Sequence, residues 1–146
     1  MSSALAKVHP AVATSLAAWH RMVATKDLGS LASIVHPDAV FRSPVANTPY
    51  GPAPALMLAL RNAIQVFEDF VYYRELATDD GLNVVLEFGA TVGDKALKGI
   101  DLIRFDEQGL IVEFEVMVRP LSGLQALAAA MGARLGQDLS AFKTTT

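Results

Sequence analysis

The period of hydrophobicity changes once along the chain, and that change sets what it can fold into. In the first half, apolar residues recur at helical spacing. Val12, Leu16, Trp19 and Val23 share one face of a helix from about His9 to Thr25, with Pro10 suited to its first turn. Leu56, Leu60, Ile64 and Phe67 do the same over about Ala55 to Phe67. A shorter helix is expected at about Leu28–Val35, stopped by His36-Pro37-Asp38, because a residue preceding proline is pushed out of the helical region. Ala39–Ser43 reads as a short strand, and Ser43 to Pro54 as a loop. Beyond Phe67 the period falls to two. Strands are expected near Phe70–Thr78, Leu82–Val92, Ala96–Phe105 and Ile111–Arg119, joined at Asp79-Asp80-Gly81, Gly93-Asp94 and Asp106-Glu107-Gln108-Gly109. Leu121–Leu135 returns to helical spacing, and the Thr144–Thr146 tail is expected to fray. Helices followed by a four-strand meander and one more helix make an α+β chain, with helices packed on one face of a curved antiparallel sheet. At 146 residues it fits one domain, residues 1–146.

Composition narrows the function. Hydrophobic residues make up 52% and charged residues 18%, against about 25% charged in an average soluble domain. The excess suits a cavity wall, a buried subunit interface, or both. No stretch is long and charge-free enough to span a membrane. The net charge is −3 and the basic residues are scattered, so no nucleic-acid partner is expected. Without cysteine there is no disulfide or thiolate chemistry, and three histidines without carboxylates at ligand spacing suggest no metal and no cofactor. Met1 to Lys7 has no signal-peptide pattern, so a cytoplasmic location is expected.

Alternation assigns faces to the strands. Val84, Leu86, Phe88, Ala90 and Val92 should face the helices, as should Val112, Phe114, Val116 and Val118. In Ala96–Phe105 the long charged side chains Lys98 and Arg104 mark the outer face, which places Asp101 on the inner, apolar one. A buried carboxylate is costly unless paired or protonated, so Asp101 is where the pattern breaks and the first candidate for chemistry. One of the adjacent Tyr72 and Tyr73 must also face inward. His20, off the apolar stripe, reads as a solvated helix residue, and His36 as a helix cap. The outer face, with Val85, Ile100, Leu102, Ile111 and Met117 among Arg74, Glu87, Arg104, Glu113 and Glu115, suits a two-fold homodimer contact.

The order of elements, Trp19 in the first helix, His36-Pro37-Asp38-Ala39-Val40-Phe41 and above all Gly99-Ile100-Asp101-Leu102-Ile103-Arg104-Phe105-Asp106-Glu107-Gln108-Gly109-Leu110-Ile111 resemble the SnoaL-like branch of the nuclear transport factor 2 superfamily, over about Val12 to Pro120. The resemblance implies a conical fold with a deep pocket between sheet and helices, and dimers in many members. Its ketosteroid isomerase relatives polarise a carbonyl with a helix tyrosine and a protonated strand aspartic acid, while a second aspartate moves the proton. Asp101 matches the strand acid, but Trp19 stands at the tyrosine and Ser43, before Pro44-Val45, at the proton-moving aspartate. Tryptophan donates a hydrogen bond without giving up a proton, and serine is no base. Limonene epoxide hydrolase's Asp-Arg-Asp set matches poorly. The aspartate–histidine pair of the polyketide cyclases would need Asp101 with His20 or His36.

The expectation is therefore a pocket for a small apolar molecule, with Asp101 as catalytic acid and Trp19, Phe41, Ser43, Leu60, Tyr72, Phe88, Phe114 and Val116 around the ligand. The chemistry would be of isomerase, cyclase or hydrolase type. The alternative is a non-catalytic ligand-binding or structural homodimer.

Overall fold

A computed structural model of the chain describes residues 8–135. The expectations for Met1–Lys7 and the Thr144–Thr146 tail lie outside the described residues. Helix α1 spans Pro10–Thr25, strand β1 Val35–Arg42 and helix α2 Ala53–Val66. Strands β2 (Glu68–Ala77), β3 (Asn83–Val92), β4 (Lys95–Phe105) and β5 (Ile111–Arg119) follow, then helix α3 (Leu121–Leu135). The sheet order is β1-β5-β4-β3-β2. The meander β2 to β5 is antiparallel as the turn signals require, and β1 adds to β5 in parallel, making the sheet mixed.

Two elements differ from the sequence reading. The expected helix at 28–35 is only a 3₁₀ turn, Leu31–Ile34, and β1 starts at Val35, so His36-Pro37-Asp38 lies within a strand. The reason is position. β1 is an edge strand, where proline's missing N–H costs nothing, and the pairing jumps from Val35↔Ile111 to Val40↔Glu113, so the proline segment bulges out. His36 caps no helix; its Nδ1 accepts a hydrogen bond from the Asp38 N–H at 3.0 Å. The second difference is Ile111, expected on the outer face but fully buried. Between β4 and β5 the register passes from Arg104↔Glu113 to Phe105↔Ile111. Val112 is the extra residue of this bulge, and one inserted residue reverses the alternation.

The helices cover the concave face. Val12, Leu16, Trp19 and Met22 of α1 and Leu56, Ala59, Leu60 and Ile64 of α2 are buried against it. Buried Ser15 ties α1 to the β4–β5 turn by donating a 2.6 Å hydrogen bond to the Gly109 carbonyl. At the centre Gly99 faces inward, and a Cβ there would stand 2.7 Å from the Phe88 ring and closer still to the Met117 carbonyl. The missing side chain is what lets the Phe88 ring lie across β4. Near the start of α3, Gly123 likewise lets the helix backbone approach Leu97 of β4.

Gly99→Ala therefore has to displace either β5 backbone or a fully buried ring. Overpacking of this kind costs roughly 1–3 kcal/mol. Urea unfolding of the variant should show a lowered midpoint at unchanged slope; an unchanged midpoint would mean the Phe88 ring has room to move.

Candidate functional site

Asp101 lies in the middle of β4, paired with Leu86 on β3 and Val116 on β5. Its backbone is covered on both sides, and the residue is 6% exposed. Its side chain points inward, as the alternation requires. Of the two adjacent tyrosines, Tyr72 faces in, and its hydroxyl donates a 2.6 Å hydrogen bond to Asp101 Oδ2. Tyr73 faces out, 60% exposed, its ring lying over Gly89. The Trp19 indole N–H in turn donates to the Tyr72 hydroxyl oxygen at 3.0 Å. The three residues come from α1, β2 and β4 and form one directed chain, Trp19 to Tyr72 to Asp101.

No cation approaches this chain among the described residues; the ion pairs of the lysines and arginines lie elsewhere. Burial disfavours the carboxylate and pushes Asp101 up to about 7, against the single opposing hydrogen bond from Tyr72. Burial, then the charge and hydrogen bond of Asp101, hold the Tyr72 hydroxyl well above its ordinary value near 10. Tyr72 thus keeps its proton through the neutral range, while Asp101 exchanges its own around pH 7.

Aromatic packing fixes the surroundings. Trp19 meets Phe114 edge to face at 5.4 Å, Phe70 stacks on Phe88 at 5.0 Å, and Tyr72 sets its ring edge on Phe70 at 4.8 Å. These rings fill the space that the sequence assigned to a single cavity. Trp19, Phe88 and Phe114 are buried core residues. The structure instead separates two spaces, and neither these residues nor Asp101 are among those lining them. One, of about 230 Å³, is walled by Phe41, Ser43, Leu60 and Val116, with Tyr50 and residues of α3 such as Leu127 and Met131 closing it. Pro44 and Val45 of the proline-rich loop border it. Val116 is the cross-strand partner of Asp101, so the carboxyl stands beside this wall on the same face of the sheet. The other space, of about 540 Å³, is a cleft beside α1 and β2 lined by His20, Lys26, Asp69, Phe70 and Tyr72. Tyr72 is the one member of the chain on a cavity wall.

The sequence reading missed the partner of His20. β2 carries two irregularities, and between Tyr72↔Phe88 and Glu75↔Leu86 it gains a residue on β3. That bulge turns Glu75 inward, where its carboxylate pairs with His20 Nε2. His20 is thus half-buried and held, not solvated, and its ring rests edge-on against Tyr72 at 5.2 Å. Among the described residues no group of three or more histidines and carboxylates could hold a metal ion.

The chain belongs to the SnoaL-like family, whose domain model matches residues 16–114. Among solved structures it is similar to a steroid delta-isomerase from Pseudomonas aeruginosa, with 55% identity, 91% of this chain and 97% of that chain covered, and a TM-score of 0.88. It is also similar to an uncharacterised protein with a cystatin-like fold from Silicibacter pomeroyi, with 31% identity, coverage of 92% and 91%, and a TM-score of 0.80. An epoxide hydrolase/cyclase-like enzyme of pyran ring formation in salinomycin shares the fold at 15% identity, coverage of 75% and 91%, and a TM-score of 0.62. Comparison with curated proteins finds no match.

The buried acid makes stability depend on pH. An unfolded aspartate releases its proton near 3.9, while the folded carboxyl keeps it to about 7. The contribution of this group is fully present below the unfolded value, declines above it, and is lost once pH has risen through 7. Asp101→Asn keeps an acceptor for Tyr72 and has no charge to bury. The variant should therefore gain on the wild type by about 1–3 kcal/mol between roughly pH 5 and pH 8 and no further above that. Denaturation series at each pH read the gap; a constant gap would contradict the assignment.

Proposed function

We propose that the protein binds a small, largely apolar molecule in the cavity walled by Phe41, Ser43, Leu60 and Val116, with Asp101 as the acid beside that wall. The observation that carries this reading is the pairing of an apolar cavity with a buried carboxyl that has a hydrogen-bond donor but no cation. A neutral acid held in this way can polarise an oxygen of a ligand without adding a charge to the core, the kind of role that suits isomerase or cyclase chemistry. At about 230 Å³ the space falls below the common range of about 300–1,000 Å³ for ligand sites, which favours a small occupant. The 55% identity to a protein described as a steroid delta-isomerase makes a steroid the first ligand class to test.

Ser43 favours a second reading, ligand binding without turnover. It stands where an isomerase of this fold would keep its proton-moving carboxylate, and its Oγ already accepts a hydrogen bond from the Val45 N–H at 3.1 Å. Native mass spectrometry of the purified protein should reveal a retained small molecule. Ala128→Trp, which fills the cavity from the half-buried face of α3, should abolish it. The same molecule retained by that variant would place the ligand elsewhere. Isomerisation of an unsaturated keto-steroid that falls at least tenfold in Asp101→Asn would favour the enzyme, and tight binding without conversion the binding protein.

We also propose a homodimer through the outer face of the sheet. Val85, Ile100, Leu102 and Met117 lie there, half-buried or exposed. The charges among them already engage one another: Glu87 binds Arg74 at 2.7 Å and Lys98 at 3.0 Å, and Glu113 binds Arg42 and Arg104. Arg74 and Lys98 hold the Glu87 carboxyl down at about 2. A face of apolar residues and internally paired charges loses little on being covered. Light scattering should give twice the chain mass, and Ile100→Glu should give the monomer; a wild-type monomer at micromolar concentration would contradict the proposal.

A further inference from the structure

The cleft beside α1 and β2 holds groups that the proposed ligand cavity does not use. His20 gives its Nε2 to Glu75, whose side chain is only 9% exposed, while the His20 side chain is 31% exposed. A carboxylate on Nε2 fixes the proton there and leaves Nδ1 as the basic nitrogen. Nδ1 has no hydrogen-bond partner among the described residues. The ring forms part of the wall of the cleft, next to Tyr72. This is the arrangement of an oriented base, with a side chain held by a third group and one nitrogen open. The bulge that aims Glu75 is of the kind found next to active sites, where it redirects a side chain. The rest of the cleft is amphipathic. Val23, Ala24, Ile64 and Phe70 supply an apolar floor, and Lys26 a cation whose ammonium donates to the Phe67 carbonyl at a long 3.4 Å. Asp69 also lines the cleft.

We propose that this cleft is a second small-molecule site, in which His20, oriented by Glu75, accepts a proton from a weakly acidic hydroxyl of an aromatic ligand. A phenol or a ring enol fits the chemistry. Its ring lies on Phe70 and the aliphatic floor, its O–H bond breaks toward His20 Nδ1, and the resulting oxyanion is balanced by the imidazolium and the Lys26 ammonium. Asp69 selects against ligands that carry a second negative charge. The cleft shares no lining residue with the cavity under α3.

The test uses 4-nitrophenol, whose ionised form absorbs at longer wavelength than its neutral form, in a buffer below the free phenol's own pKa. Titrating the probe into the full-length protein should produce the phenolate spectrum on binding. His20→Gln should remove that spectrum and weaken binding at least tenfold, while folding, checked by circular dichroism, is kept. Glu75→Gln should retain binding with a smaller ionised fraction. In the wild type, the His20 imidazole nitrogen shifts should move to the protonated form as the probe saturates, a readout that needs no variant. A bound probe that stays neutral, or a phenolate signal that survives His20→Gln, would overturn the proposal and leave the Asp101 reading standing.

Discussion

A carboxyl group surrounded by aromatic rings has few ways to exist. It is paired with a cation, or it keeps its proton, or the core opens to water. Here no lysine or arginine pairs with it, the ion pairs of Arg74, Lys98 and Arg104 lying on the outer face of the sheet, and the rings of Trp19, Phe70, Phe88 and Phe114 close the inner one. What remains is one hydrogen bond from Tyr72, itself supported by Trp19. Much else in the fold follows from housing this chain. β2 must set Tyr72 inward and Tyr73 outward, Gly99 must carry no side chain so that Phe88 can lie beside Asp101, and α1 must deliver the indole N–H from above.

The sheet gives these demands their geometry. β3 and β4 are regular over their whole length, from Asn83↔Arg104 to Val92↔Lys95, and they form the rigid centre. The strands outside them are irregular. β2 bulges twice and the β4–β5 pairing once, and each extra residue moves a side chain from one face to the other. The regular centre holds the acid, and the irregular flank carries Tyr72, which lines the cleft, and Glu75, which holds His20 beside it.

That division also explains what the sequence made legible. The inner faces of β3 and β4 could be read by alternation, because nothing interrupts it there, and Asp101 stood out as the residue that broke the pattern. Trp19 was visible as part of the apolar stripe of α1. Glu75 and Ile111 were not legible, since a bulge leaves no mark in a string of residue types and reverses every face beyond it. His20 looked solvated because its partner lies 55 residues away across one of those bulges. The residues around the expected pocket were the right neighbours, but sequence carries no measure of how completely rings fill a volume. Trp19, Phe88 and Phe114 fill theirs, and the open space is displaced to either side.

Everything proposed for the α3 cavity turns on whether the acid beside its wall is neutral. The most direct measurement is the side-chain carboxyl carbon shift of Asp101 followed by NMR across the pH range, in protein labelled at aspartate and assigned with Asp101→Asn. A single titration centred near 7 is the predicted result. A midpoint at or below about 4, the value of an ordinary aspartate, would show an ionised carboxylate and would make the chain from Trp19 through Tyr72 a structural anchor instead of an acid.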